Sequence, residues 1–187
     1  MRMNEPAQPN ASDHLATQGN LFATWFKRLR LLLFNAVAVI LADQITKRIV
    51  EAQIPLYETV PLIGHWLGFT RTQNFGAAFS LFQNGGVFFI IIAAIVTALI
   101  IYYAPRLPEN DWLSRVALGL QMGGALGNVI DRLRQGYVTD FIHIRIPEIG
   151  FDWPVSNVAD ACIVSGVIIL IVTSFQRDRQ AAANQVA

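Results

Sequence analysis

The stretch "GVFFIIIAAIVTALIIYYA", residues 86–104, contains no charged side chain. As a helix rising about 1.5 Å per residue, it is long enough to cross a hydrocarbon core of roughly 30 Å. The alternative is a buried helix of a soluble protein, and composition argues against it. The 187 residues are 53% hydrophobic and 14% charged, with a mean hydropathy of +0.42, which fits poorly with a water-soluble domain. The chain therefore reads as one integral membrane domain. A net charge of +1 gives no nucleic-acid signal, and Cys162, the single cysteine, excludes an intrachain disulfide framework and a multi-cysteine metal site.

Three further stretches are candidate spans: residues 29–50, which begin apolar and then carry Asp43 and Lys47; residues 113–130, interrupted by glycines; and residues 157–175. The expected organisation is a disordered polar leader over residues 1–26, a four-span membrane domain over 27–176, and a short cytoplasmic tail over 177–187. A cleaved signal peptide is the rival reading of residues 27–42, where "KRLR" precedes an apolar core ending in Ala42. Charged residues directly after that core favour a span.

With four spans both termini share a side. That side holds Arg2, Lys27, Arg28, Arg30, Arg106, Arg115, Arg177 and Arg179; the other holds Lys47, Arg48, Arg71, Arg132, Arg134 and Arg145. "KRLR" and "QRDR" abut the first and fourth spans, which favours cytoplasmic termini. In that topology Asp43 lies about 20 Å beyond Arg30 at 1.5 Å per residue. The third span ends outward at Asn128 and Asp131, and the fourth starts outward at Asn157, with Asp160 one turn in. The polar residues of the spans thus gather at one outer level.

Each has a structural explanation to set against a chemical one. Asp43 and Lys47 stand at i, i+4, the spacing of a neutralised helical pair. Gly119, Gly123 and Gly127 repeat every four residues, as close helix packing requires, while Gln121, Gly124, Asn128 and Asp131 form a polar and small face. Asn157 and Asp160 have the spacing of an N-cap and a first-turn carboxylate. Capping alone leaves Asp140 unexplained. In "YVTDFIHIRI" (137–146) strand alternation puts Val138, Asp140, Ile142, Ile144 and Ile146 on one face, so Asp140 is the one charge on an apolar face. If that face turns to the membrane, Asp140 lies at the level of Asp160. Two carboxylates in one low-dielectric cleft cannot both ionise cheaply, and one proton is shared, the state used by aspartic proteases.

The segments "ADQITK" (42–47), "TQNFGAAFS" (72–80), "GGALGNVIDRLRQGYVTDFI" (123–142) and "SNVAD" (156–160), in this order, together resemble lipoprotein signal peptidase, also called signal peptidase II. The resemblance covers about residues 30 to 175. It implies a bacterial inner-membrane aspartic endopeptidase that removes the signal peptide of diacylglyceryl-modified prolipoproteins, cutting before the lipidated cysteine. The implied fold is mainly α, four transmembrane helices with a small extracytoplasmic β-sheet over the bundle. The catalytic pair falls on Asp140 and Asp160. Asn74 and Gly76 fall in the substrate groove, Asn128 and Arg132 beside the catalytic pair, and Asn157 next to Asp160. Asp43, Lys47, Asp131 and Gly124 take supporting places. Phe75 stands where an aromatic, often Tyr, is usual in the family. No cofactor or metal is implied, and the expected partners are lipid-modified prolipoprotein and membrane lipid, with a monomer sufficient.

Residue-level reading agrees with parts of this picture. Residues 57–74 contain short alternating pieces broken by Pro61, Gly64 and Gly68, as small strands on the outer surface would. Cys162 has no histidine beside it in sequence, and His14, His65 and His143 lie at no metal-ligand spacing. Two other functions fit less well. A proton-coupled transporter using Asp43, Asp140 and Asp160 as a relay needs carboxylates near the midplane, and a scaffold in which polar residues only cap helices tolerates Asp-to-Asn changes.

Overall fold

The computed structural model describes residues 11–76, 85–108 and 110–186. Four long helices carry the fold: α1 (Ala11–Gln53), α2 (Gly86–Tyr103), α3 (Trp112–Gln135) and α4 (Val158–Val186). Between them run four strands, β1 (Thr59–Ile63), β2 (Leu67–Asn74), β3 (Val138–Ile146) and β4 (Phe151–Asp152), joined as one antiparallel sheet in chain order. Among the described residues, three segments are long and apolar enough to cross a membrane: Arg28–Gln53, Gly86–Arg106 and Val158–Gln180. Much of their apolar surface faces outward; Phe34 is 72% exposed and Val87 71%, as lipid contact requires.

The helix expected over 113–130 forms as α3, whose 24 residues span about 36 Å. It is less apolar than the other three, and its Asn128 and Asp131 are buried in the bundle rather than turned to lipid. The leader differs from expectation: α1 already starts at Ala11, so residues 11–26 are helical. The polar character of "ASDHLATQGN" signals a lack of apolar surface to bury, but Ala, Leu and Gln are good helix formers and extend a helix nucleated by the span below. Residues 1–10 and the "AAFS" end of the second motif lie outside the described residues. The tail over 177–187 continues α4 as helix through Val186.

α3 is the centre of the bundle because it is nearly bare on two sides. A Cβ on Gly119 or Gly123 would lie 2.6 Å from the carbonyl oxygen of Leu32 or Ala36 on α1, and one on Gly124 would lie 2.4 Å from that of Ala159 on α4. The glycine ladder is therefore a packing device, as its spacing suggests. Gly123→Ala is expected to force α1 and α3 apart. Overpacking of this kind costs about 1–3 kcal/mol, against a helix-propensity gain of up to about 1 kcal/mol. Thermal unfolding in detergent checks this, with Gly86→Ala, where a Cβ meets nothing within 4 Å, as the unaffected control.

Capping groups aim the chain into the site. Asp111 caps α3 by accepting from the Ser114 amide at 3.2 Å, and Gly136, at φ 81°, closes the helix and turns the chain into β3. At the end of α1 the carbonyls of Glu51 and Ile54 accept from Arg71 Nη1 at 3.0 and 3.1 Å, which satisfies acceptors the helix leaves unpaired. Arg71 can do this because of a β-bulge. Phe69 pairs with Ile142 but Thr72 with Asp140, so Thr70 and Arg71 oppose Phe141 alone.

The strand alternation read from sequence holds only in part. Val138, Thr139, Asp140 and Phe141 are all buried, because helix ends cover the face that was expected to be open. Phe141 packs with Val50 of α1 and with Ile54 just beyond its end and stands edge-on to Phe69 at 5.4 Å. β4, too short for a sequence signal, pairs Arg145 with Asp152 and Ile146 with Phe151.

Candidate active site

At the sheet end of the bundle, polar side chains from all of α1, α3, β2, β3 and α4 meet below the protein surface. Asp43 and Asp131 are 0% exposed, Lys47 1%, Asn157 0% and Asp140 2%. Buried charges need partners, and tracing them gives the wiring of the site.

Asp140 is held from two sides. Asn74 Nδ2 donates to its Oδ2 at 2.9 Å, and Asn157 Nδ2 to its Oδ1 at 2.6 Å. Asn157 is also the N-cap of α4, since its Oδ1 accepts from the Asp160 amide at 2.9 Å. Asp160 Oδ1 in turn accepts from Asn128 Nδ2 at 2.8 Å. Asn128 Oδ1 accepts from Asn157 Nδ2 at 3.3 Å and from Lys47 Nζ at 3.0 Å. The ammonium group decides which way the Asn128 amide points, because only an oxygen can face it. Asp140 and Asp160 are thus linked through two amides that carry no charge.

The Asp43–Lys47 pair forms as its spacing suggests, at 2.8 Å, but it is not self-contained. Lys47 Nζ also meets Asp131 Oδ2 at 2.9 Å. Asp43 Oδ1 accepts from the Ala159 amide in the first turn of α4 at 3.0 Å, and Asp131 Oδ2 accepts from the Thr139 amide at 3.2 Å. Gln44 Nε2 donates to Asp131 Oδ1 at 2.9 Å. This ionic cluster therefore holds the backbone just before each aspartate, at residues 139 and 159.

Asn74 does two jobs. Besides meeting Asp140, its Oδ1 accepts from the Gly76 amide at 3.0 Å, forming a side-chain turn after β2. Arg132 Nη2 donates to the Gly76 carbonyl at 2.9 Å, and its guanidinium lies 4.9 Å from the Phe89 ring centre. Gly124, by contrast, contributes only the close approach of α3 to α4. Among the described residues no group of three or more His, Cys, Asp or Glu could hold a metal ion. His143 is engaged with Thr70 and Asp152, each at 2.9 Å, and His65 with Glu148 at 2.5 Å.

Burial pushes the Asp140 carboxyl up to about 7, the charge of Asp160 adds to the rise, and the amides of Asn74 and Asn157 and the Lys47 ammonium oppose it. A carboxylic acid that holds its proton near neutral pH beside a second carboxylate can donate while its neighbour accepts.

The match to known proteins now decides the family. The model of signal peptidase II matches residues 35–176. The chain belongs to the signal peptidase II family. Two relatives named lipoprotein signal peptidase are similar to it: one from Teredinibacter turnerae, 41% identical over 140 residues covering 73% of this chain and 82% of the relative, and one from Moorella thermoacetica, 42% identical over 138 residues covering 74% and 88%. A solved bacterial membrane enzyme superposes with a TM-score of 0.72 at 34% identity, covering 78% of this chain and 87% of that one.

Within this signal peptidase II chain, the candidate residues Asp140, Asp160, Asn74, Gly76, Asn128, Arg132, Asn157, Asp43, Lys47 and Asp131 converge on one network. Gln44, Thr139 and Glu51 belong to it as well and were not singled out from sequence. Gln44 sits inside "ADQITK" and Thr139 precedes Asp140, so adjacency was the available signal; Glu51 carried none.

Proposed function

We propose that Asp140 and Asp160 are the catalytic pair of a membrane aspartic endopeptidase that removes signal peptides from diacylglyceryl-modified prolipoproteins on the N-terminal side of the lipidated cysteine. Membership of the signal peptidase II family supports the substrate class, and the Asp140–Asn157–Asn128–Asp160 chain of hydrogen bonds is the observation that carries the mechanism. We take Asp140, raised to about 7 by burial and by the charge of Asp160, as the carboxyl that carries the shared proton. The ionised partner takes a proton from water, the water oxygen bonds to the scissile carbonyl carbon, and Asp140 protonates the carbonyl oxygen. Collapse of the resulting diol breaks the C–N bond as the partner passes its proton to the amine of the lipidated cysteine and a diol hydroxyl returns a proton to Asp140, which restores the pair. Arg132 and the Gly76 turn flank the pair and hold the peptide backbone.

The acyl chains and the apolar signal helix keep such a substrate at the membrane surface, so the water-activating groups belong at that depth. Basic residues at the ends of the Arg28–Gln53 and Val158–Gln180 spans remote from the site favour both termini in the cytoplasm, with the site at the extracytoplasmic face of the bacterial inner membrane. All of the network comes from one chain, which makes a monomer sufficient.

The test uses the purified full chain in detergent with a diacylglyceryl-modified prolipoprotein and its unmodified counterpart. Release of a signal peptide from the modified protein alone is expected; equal cleavage of both, or of neither, overturns the substrate reading. The pH dependence follows from the shared proton. As pH rises through about 7, Asp140 loses the proton it must donate, so kcat falls there; at acid pH the partner loses its capacity to accept, and kcat falls again. A bell-shaped profile of kcat for the pair is expected, and a rate still rising above pH 8 contradicts it.

A further inference from the structure

A closed ring of hydrogen bonds adjoins the ionic cluster, one helical turn along α1 from Lys47 and along α3 from Asp131. Thr139 Oγ1 donates to Glu51 Oε1 at 2.6 Å and accepts from Gln135 Nε2 at 3.0 Å. Gln135 Oε1 accepts from Arg134 Nη2 at 2.7 Å, and that same nitrogen reaches Glu51 Oε1 at 3.1 Å, closing the ring. Every donor in the circuit has an acceptor, and it ties together the ends of α1 and α3 and the start of β3. Glu51 is well covered, its side chain 16% exposed. Its place at the last turn of α1 is itself fixed by Arg71 on its carbonyl at 3.0 Å.

Thr139 is the joint. Its amide is held by Asp131 at 3.2 Å and its hydroxyl by the ring, and the next residue is Asp140. We propose that Glu51 is a positioning residue for Asp140, acting through the Thr139 hydroxyl. Pinning residue 139 at both amide and hydroxyl fixes the strand where Asp140 leaves it, so the carboxyl reaches Asn74 and Asn157 without a search. A displacement of about 1 Å at a reacting group is enough to cost up to about 10²-fold in rate. Removing Glu51 lets the strand relax by part of that distance. The inference rests on the reading of Asp140 and Asp160 as the catalytic pair.

The test compares Glu51→Ala, Glu51→Gln, Thr139→Val, Thr139→Ser and the double variant Glu51→Ala/Thr139→Val, with kcat per folded enzyme and KM measured on the lipidated prolipoprotein. Glu51→Ala and Thr139→Val are each expected to lower kcat about tenfold with KM within about twofold, since the defect lies in presenting the carboxyl rather than in binding. The double variant is expected to be no worse than the poorer single one, because both remove one interaction. Glu51→Gln keeps an acceptor oxygen and Thr139→Ser keeps the hydroxyl, and both are expected to stay within about threefold of the native rate. Native kcat in Glu51→Ala, additive losses in the double variant, or a Glu51→Gln defect equal to that of Glu51→Ala each overturn the proposal. Failure of the catalytic assignment itself is told apart by Asp140→Asn, which then retains cleavage whatever the Glu51 variants do.

Discussion

Asp140→Asn and Asp160→Asn are each expected to lower kcat for prolipoprotein cleavage by about 10³-fold, with the protein still folded. Loss of one proton-transfer group from a general acid–base pair typically costs 10²–10⁴-fold, and an asparagine can neither take the proton of water nor surrender one to a carbonyl. The amide is close in shape to the carboxyl it replaces, so the packing around residues 140 and 160 survives. Stability gives an independent control. The Asp140 carboxyl is raised from 3.8 to about 7, so between those values the native state binds a proton that the unfolded chain lacks. Stability from this group therefore falls as pH rises through that window and is flat above it. Asp140→Asn removes this contribution, and its thermal midpoint changes less with pH between about 4 and 7 than that of the native chain. Residual cleavage above about 10% in either variant removes that residue from the catalytic pair. A collapse of the thermal midpoint in Asp140→Asn at pH 8 favours a structural role instead.

Lys47→Met is the most destabilising single change expected in the bundle. The ammonium group lies 2.8 Å from Asp43 and 2.9 Å from Asp131, both fully buried. Removing one partner of a buried ionic group leaves uncompensated charge where water cannot reach, typically at a cost of 3–5 kcal/mol; here two carboxylates are left against Gln44 and backbone amides. Methionine fills the volume, so the loss reads charge rather than a cavity. Activity falls with stability, because Lys47 also orients Asn128, at 3.0 Å, and through it Asp160. Thermal unfolding in detergent measures the first effect and cleavage per folded enzyme the second. A midpoint within about 2 °C of the native chain refutes the account of the cluster.

The contrast between these two sites shows what a sequence can carry. Hydropathy marked α2 and α4 plainly, since a lipid-facing helix must be apolar nearly all round. α3 was legible through its glycine spacing although too polar for a span, because close packing leaves a periodic trace of small residues. Asp140 stood out as a charge breaking an apolar alternation, and Asn157 as a cap. The partners were not legible. Lys47 was paired with Asp43 by local spacing, whereas Asp131, equally close, comes from another helix and nothing local announces it. Glu51 looked like any charge at a helix end until the β-bulge and the turn at Gly136 brought Thr139 to it. Burial of both faces of β3 at residues 138–141 was hidden for the same reason. Alternation reports one covering layer, and the ends of α1 and α3 supply the second.

The bareness of α3 also bears on how the protein is assembled. Alone in a bilayer this helix would set Asn128, Asp131 and Arg132 against lipid at one end of the span, where a charge costs less than the ~2.5–3.5 kcal/mol of the span centre but is still unpaired. Its glycines would offer lipid no compensating surface. α3 is therefore at home in the membrane only between α1 and α4, and α4 is the last of the four helices in the chain. Asp160, Asn157 and the amide that steadies Asp43 all arrive with it. A partly inserted chain thus has no assembled pair of aspartates. On the reading of Asp140 and Asp160 as the catalytic pair, proteolytic capacity is expected only once α4 has joined the bundle.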